Sequence, residues 1–264
     1  MAIEYRWAEG RLDRLPTLAA DLVGRRVVVI VAGTTAAALA AKEATQMIPI
    51  VFNSGVDPVE FGLVKSLNRP GGNLTGVVSV TIEVTAKRLE FLHELVPAVS
   101  LIAVLVNPAY PAYTEAETKE LQVAARVLGV RLLILNASSQ SDIDVAFATL
   151  VRERAGALAL SSDVFLRYHR DQIVALAARY EIPAIYAYRE FTAAGGLMAY
   201  GMPFTDQSRV LGNYTGRILK GDKPADLPVQ QATRIELFIN LRTAEALGLT
   251  IPLFLRGLAT EVIE

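Results

Sequence analysis

The sequence predicts an α/β protein made of two doubly wound, Rossmann-like lobes, and three observations predict it. Short apolar runs rich in β-formers recur at residues 27–31, 50–53, 102–107, 132–136, 157–161 and 184–188. Each ends in a small or polar loop, and a stretch with helical spacing follows, which is the signature of parallel sheet covered by helices. A turn-dense break at residues 70–81 divides the runs into two groups, with the first passage between lobes at about 76–82. Two such sheets facing each other leave a cleft lined by strand ends, so the chain reads as one that closes on a small molecule.

Taken in order, residues 3–7 alternate like a strand and 15–23 have helical spacing. The run 27–31 (VVVIV) is a fully apolar strand ending at Gly33-Thr34-Thr35, and 36–45 is an Ala-rich helix. Residues 50–53 form a strand ending at Asn53-Ser54-Gly55. Asp57-Pro58 then begins a helix, because Asp at the N-cap with Pro at the first helical position is a strong start. The run Asn68-Arg69-Pro70-Gly71-Gly72-Asn73 is turn chemistry. A strand at 75–80 and a long helix at 84–96 follow.

The second group opens with a strand at 101–106 that ends in Asn107-Pro108. Helix 114–128 stops at Gly129, a residue type that adopts the left-handed conformation freely. Then come strand 130–135, helix 141–154, strand 157–160, helix 166–180, strand 183–188, strand 196–201 and helix 203–219. Gly221-Asp222-Lys223-Pro224 makes a turn. A strand at 235–240, a short helix to Leu247 and a last helical turn within 252–258 complete the reading.

Composition narrows the function classes. Of 264 residues, 52% are hydrophobic and 20% charged, with a net charge of −1, so no basic field points to nucleic acid. No apolar run is long enough to span a bilayer. Cysteine is absent, which removes disulfides, thiolate metal sites and Cys nucleophiles. The two histidines, His93 and His169, sit in helical patterns away from strand-end loops, so neither a zinc site nor a Ser-His-Asp triad is supported. No G-x-S-x-G elbow, phosphate loop or acid/base pair is present, and no cofactor or metal is implied.

In open α/β sheets, ligands bind beyond the carboxyl ends of strands. That rule selects Thr34 and Thr35, which open a helix and either cap it or hold a carboxylate on free backbone N–H groups. It also selects Asn53, Asp57 and Ser79, with Asp57 doubling as a cap. In the second group it selects Tyr110, Asp163, Tyr188 and Glu190. Asp163 is a short acid suited to an ammonium or hydroxyl group, or else an N-cap. The tyrosines can supply apolar walls with polar tips.

Several stretches carry more specific wording. They are Ile48-Pro49-Ile50-Val51-Phe52, Asp57-Pro58-Val59, and residues 67–77 (LNRPGGNLTGV). Further on stand Lys87-Arg88-Leu89-Glu90, Leu95-Val96-Pro97, residues 102–108 (IAVLVNP), residues 223–230 (KPADLPVQ) and residues 247–252 (LGLTIP). Over essentially its whole length the chain resembles the substrate-binding proteins of ABC transporters, in the tryptophan-uptake-like family. The resemblance implies a type I periplasmic binding fold, with crossings at about 79–82, 201–204 and 230–235. The first lobe would hold residues 1–80 and 204–232, and the second 81–203 and 233–264. It implies hinge closure on an amino acid or related carboxylate, docking on a membrane permease, a monomer, and a periplasmic location. By loop position it places the carboxylate near Thr34, Thr35 and Asn53 to Asp57, and the ammonium and side chain near Tyr110, Asp163, Tyr188 and Glu190.

One departure accompanies the resemblance. Family members carry an export signal and a further strand–helix unit before the segment resembling residues 3–7, and this chain starts at that segment. The first lobe is therefore expected to be incomplete, with a gap in backbone pairing inside its sheet. Two other readings share the architecture: a two-lobed enzyme such as a sugar-nucleotide transferase, and a ligand-sensing regulatory domain.

Overall fold

The computed structural model describes residues 2–79, 81–232 and 234–264, the side chains of 81–83 excepted. In chain order the elements begin α1 (Leu15–Gly24), β1 (Ile30–Ala32), α2 (Thr35–Ala44), β2 (Ile50–Ser54) and β3 (Leu74–Ser79). Next come α3 (Thr81–Leu95), β4 (Leu101–Val106), α4 (Pro111–Leu128), β5 (Arg131–Asn136), α5 (Gln140–Arg152) and β6 (Ala157–Leu160). They continue with α6 (Val164–Tyr168), α7 (Arg170–Arg179), β7 (Ala184–Tyr186), α8 (Arg189–Ala193) and β8 (Met198–Gly201). The last are α9 (Phe204–Leu219), β9 (Gln230–Ala232), β10 (Glu236–Asn240), α10 (Leu241–Ala246), α11 (Leu253–Leu258) and β11 (Glu261–Ile263).

The chain divides into two units, Met1–Val80 with Phe204–Thr233, and Thr81–Pro203 with Arg234–Glu264. Val80 and Thr233, which fall within two of the expected crossings, lie outside the described residues, as does Met1. Unit 1 holds a parallel sheet in the order β1-β2-β3-β9. Ile50 and Phe52 face a core with Ile30, Ala38, Leu63 and Leu74, while Val51 faces Tyr214, Ile218 and Leu227 on the other side. Both faces of β2 are buried, which is why it reads as a continuous apolar run. α9 enters this unit late in sequence and covers the second face.

Unit 2 holds a sheet in the order β11-β10-β8-β7-β6-β4-β5, parallel except for the β10–β8 pair. One face packs Leu89, Leu92, Leu121 and Met198, and the other packs Phe147, Leu150, Leu166 and Ile173. The helix α4 ends at Gly129, whose φ of +71° is the left-handed stop its sequence suggested.

Several expectations are corrected. Residues 3–7 form no strand, because period-2 alternation needs a paired neighbour and the described residues offer none. Ile3, Tyr5 and Trp7 lie exposed. The apolar run 27–31 pairs only from Ile30, opposite Ile50, so β1 is short. It forms one edge of the sheet, and Val28 (68%) and Val31 (49%) are exposed there. Asp57-Pro58 starts a single turn and not a helix: Asp57 accepts from the Val59 and Glu60 N–H groups, and Gly62, at φ +68°, ends the turn. The expected helix 166–180 is two helices, because His169 leaves helical geometry (φ −91°, ψ 20°) and serves as the boundary of both α6 and α7. The elements α8, β9 and β11 had no signal of their own in the reading of the sequence.

Candidate functional site

In unit 1 the strand ends carry a connected set of polar side chains. Thr34 caps α2 by accepting from the Ala37 N–H at 3.2 Å. Thr35 is buried; its Oγ1 accepts from the Gly55 N–H at 3.2 Å and meets Ser54 Oγ at 3.1 Å. Ser54 Oγ in turn donates to the Val56 carbonyl at 2.8 Å. The chain of bonds therefore runs from the Gly55 N–H through Thr35 and Ser54 to the Val56 carbonyl, and fixes the loop after β2. Beside it, Ser79 Oγ donates to Asn53 Oδ1 at 3.4 Å, and Asn53 Nδ2 donates to Gln207 Oε1 at 3.0 Å. Gln207 sits in the first turns of α9 and is buried.

Thr34, Thr35, Asn53 and Ser79 are thus gathered at the carboxyl ends of β1, β2 and β3. Asp57 is exposed and occupied as a turn cap. Gln207 was not legible in the sequence as a member of this set. Its only signal is a glutamine at a buried position of a helix whose neighbours are mostly polar.

In unit 2 the ends of β4, β6 and β7 carry the second set. Asp163 caps α6, with Oδ1 accepting from the Leu166 N–H at 3.0 Å and from Asn107 Nδ2 at 3.1 Å. Among the described residues it enters no ion pair, and desolvation pushes its carboxyl above the ordinary aspartate value. A largely desolvated acid with hydrogen-bond donors but no cation is suited to receive one.

The loops after β4 and β7 carry aromatic rings, and Tyr188 interacts electrostatically with Asp163. Tyr110 stacks on Tyr113 with ring centroids 6.4 Å apart. The Tyr110 hydroxyl is buried without a hydrogen-bond partner among the described residues. Burial pushes the Tyr188 hydroxyl up to about 12, and the Arg167 guanidinium lies 5.1 Å from the Tyr188 ring centroid. Glu190 pairs with Arg167 at 2.5 Å. Asn107, the residue that orients Asp163, was legible only as the start of a strand-end loop. Among the described residues no group of three or more His, Cys, Asp or Glu side chains is placed to hold a metal.

Comparisons with known proteins find relatives in sequence and in structure. A tyrosine-binding protein of Clostridioides difficile (strain R20291) is 27% identical over 248 residues, covering 94% of this chain and 70% of that protein. The crystal structure of an ABC domain in complex with L-Trp from Streptococcus pneumonia is 25% identical. Its TM-score is 0.88, covering all of this chain and 90% of that one. A conserved domain protein of Vibrio cholerae matches with TM-score 0.88 and 28% identity, over 99% of this chain and 87% of that one. The fold is thus that of the type I periplasmic binding proteins. The sequence model described as ABC transporter substrate binding protein matches residues 1–263, and the chain belongs to that family.

Proposed function

We propose that this chain binds an aromatic L-amino acid for an ABC importer, without chemical turnover. The observation that carries the reading is Asp163, a desolvated carboxylate at the end of β6 with no cationic partner among the described residues. A ligand ammonium is the group that completes it. Tyr110, whose hydroxyl has no partner among the described residues, and Tyr188 supply the aromatic wall. In unit 1, Thr34 and Thr35 at the start of α2, with Asn53 and Ser79, take the carboxylate, using the positive end of the helix. Asp57 contributes by shaping the loop after β2, and Glu190 by holding Arg167 against Tyr188.

The relatives support the ligand class: one is a tyrosine-binding protein, and another was crystallised with L-Trp. Ligand binding shifts the population towards a conformation that a membrane permease recognises. A monomer working on the outer side of the cytoplasmic membrane suits that role. The test is thermal melting against a panel of amino acids and small carboxylates, with the mixture assayed afterwards for ligand loss. Selective stabilisation by L-tyrosine or L-tryptophan, with the ligand recovered intact, is the expected result. Conversion of the ligand would instead favour the enzyme reading.

A further inference from the structure

Two charged groups hold the residues just before Asp163 in sequence and are used by none of the roles above. Arg88 on α3 and Glu117 on α4 are both buried, at 2% and 0% exposure, and approach to 3.8 Å. They do not simply neutralise each other. Arg88 Nη1 donates to the Leu160 carbonyl at 2.9 Å, and Nη2 donates to Ser162 Oγ at 2.8 Å and to Thr85 Oγ1 at 2.6 Å. Glu117 accepts from Thr85 Oγ1 at 2.9 Å, from the Ser161 hydroxyl, and from the Ser162 N–H at 3.4 Å. Three consecutive residues at the end of β6, Leu160, Ser161 and Ser162, are therefore gripped by one ion pair, and the next residue is Asp163.

A buried ion pair is a poor device for stability alone, since apolar residues of similar volume serve as well or better. Its strength is directional: a forked guanidinium and a two-oxygen acceptor fix several atoms at once. Both residues also break the pattern of their helices. Glu117 stands between Tyr113 and Leu121 on the buried stripe of α4, and Arg88 beside Leu89 and Leu92 on α3.

We propose that Arg88 and Glu117 are positioning residues that set the strand-end segment 160–163 and so present Asp163 to the ligand. The inference rests on the binding role given to Asp163 above. It assigns the pair to affinity, acting through the loop, in addition to any part in folding.

The test uses the whole chain and two readouts. Hydrogen exchange by mass spectrometry on peptides covering 160–166 needs no ligand. Calorimetry with L-tyrosine and L-tryptophan reads affinity in the folded fraction, well below the melting temperature. In Arg88→Lys, which keeps the charge but loses the fork, exchange at 160–166 is expected to accelerate at least tenfold. The affinity should fall at least tenfold, with exchange in α5 and β4 unchanged. The double variant Arg88→Met/Glu117→Leu, which removes both charges together, is expected to do the same.

Ser162→Ala removes one acceptor and leaves the pair in place, so it decides the matter if the other variants fail to fold. It is expected to accelerate exchange in the same peptide about threefold, with a matching loss of affinity. A lowered melting temperature with exchange at 160–166 and affinity both within twofold of wild type overturns the proposal. If the wild type itself binds neither amino acid, the functional reading falls, while the exchange contrast still decides whether the pair positions the loop.

Discussion

Asn53 and Gln207 are 154 residues apart in sequence and joined by a 3.0 Å hydrogen bond from Asn53 Nδ2 to Gln207 Oε1. The bond fixes which way the Asn53 amide faces: Nδ2 towards α9, Oδ1 towards the Ser79 hydroxyl. The late helix thus sets the orientation of a strand-end side chain in unit 1. Replacing Gln207 with Leu leaves the Asn53 amide without its acceptor in a largely buried place. The expected loss is about 1–2 kcal/mol of stability, with a severalfold weaker affinity for L-tyrosine. Chemical denaturation and calorimetry on the same preparation check both.

Asp163→Asn keeps one oxygen to cap α6 and accept from Asn107, removes the charge and turns the second oxygen into an NH2 donor. Binding of an amino acid should weaken by roughly 1–3 kcal/mol, as expected for a hydrogen bond to a charged group. Glycinamide-like ligands that keep the ammonium should lose as much as the parent amino acid. Unchanged affinity in the variant would remove Asp163 from the site.

The same variant has a pH signature. Burial raises the Asp163 carboxyl above its ordinary value of 3.8. An acid raised in the folded state binds its proton more tightly there than in the unfolded chain. Its contribution to stability is therefore full below the unfolded value and is lost as pH rises through the folded one. The stability of ligand-free Asp163→Asn, relative to wild type, should then increase with pH across that window and level off above it. Urea titrations at about pH 3.5 and about pH 7 measure the difference.

Tyr110→Phe deletes a buried hydroxyl that has no partner among the described residues. The ligand-free protein should be as stable as wild type or slightly more so, because no hydrogen bond is lost. If the hydroxyl meets a polar group of the ligand, affinity should fall severalfold. Equal affinity would confine Tyr110 to an apolar wall.

Thr34→Ala removes the side-chain cap of α2, and a loss of about 1 kcal/mol is expected, with Thr34→Ser restoring most of it. Thermal or urea melts of the two variants side by side give the answer.

Strand ends were the most legible part of this molecule. The run at 101–106 and the run at 157–160 pair along their full length, because both are buried on each face and need no partner signal beyond apolarity. Thr34, Thr35, Asn53 and Ser79 came together because each directly follows or ends a parallel strand, and such ends converge by topology. The residues that remained hidden act across the chain. Gln207 reaches Asn53 only after the chain has built most of another unit, and Arg88 reaches the Leu160 carbonyl 72 residues away. Edge pairing was also illegible: residues 3–7 alternate well, yet alternation alone supplies no neighbour. A charged residue on an apolar helical stripe, such as Glu117 between Tyr113 and Leu121, is a signal of the same kind as Gln207 in its helix.

The most direct measurement is isothermal titration of the purified chain with L-tyrosine and L-tryptophan, with their D-enantiomers and L-alanine alongside. Stoichiometric binding of at least one aromatic L-amino acid, with its D-enantiomer and L-alanine far weaker, is the predicted result. A folded, cooperatively melting protein that gives no heat with any L-amino acid would contradict the account.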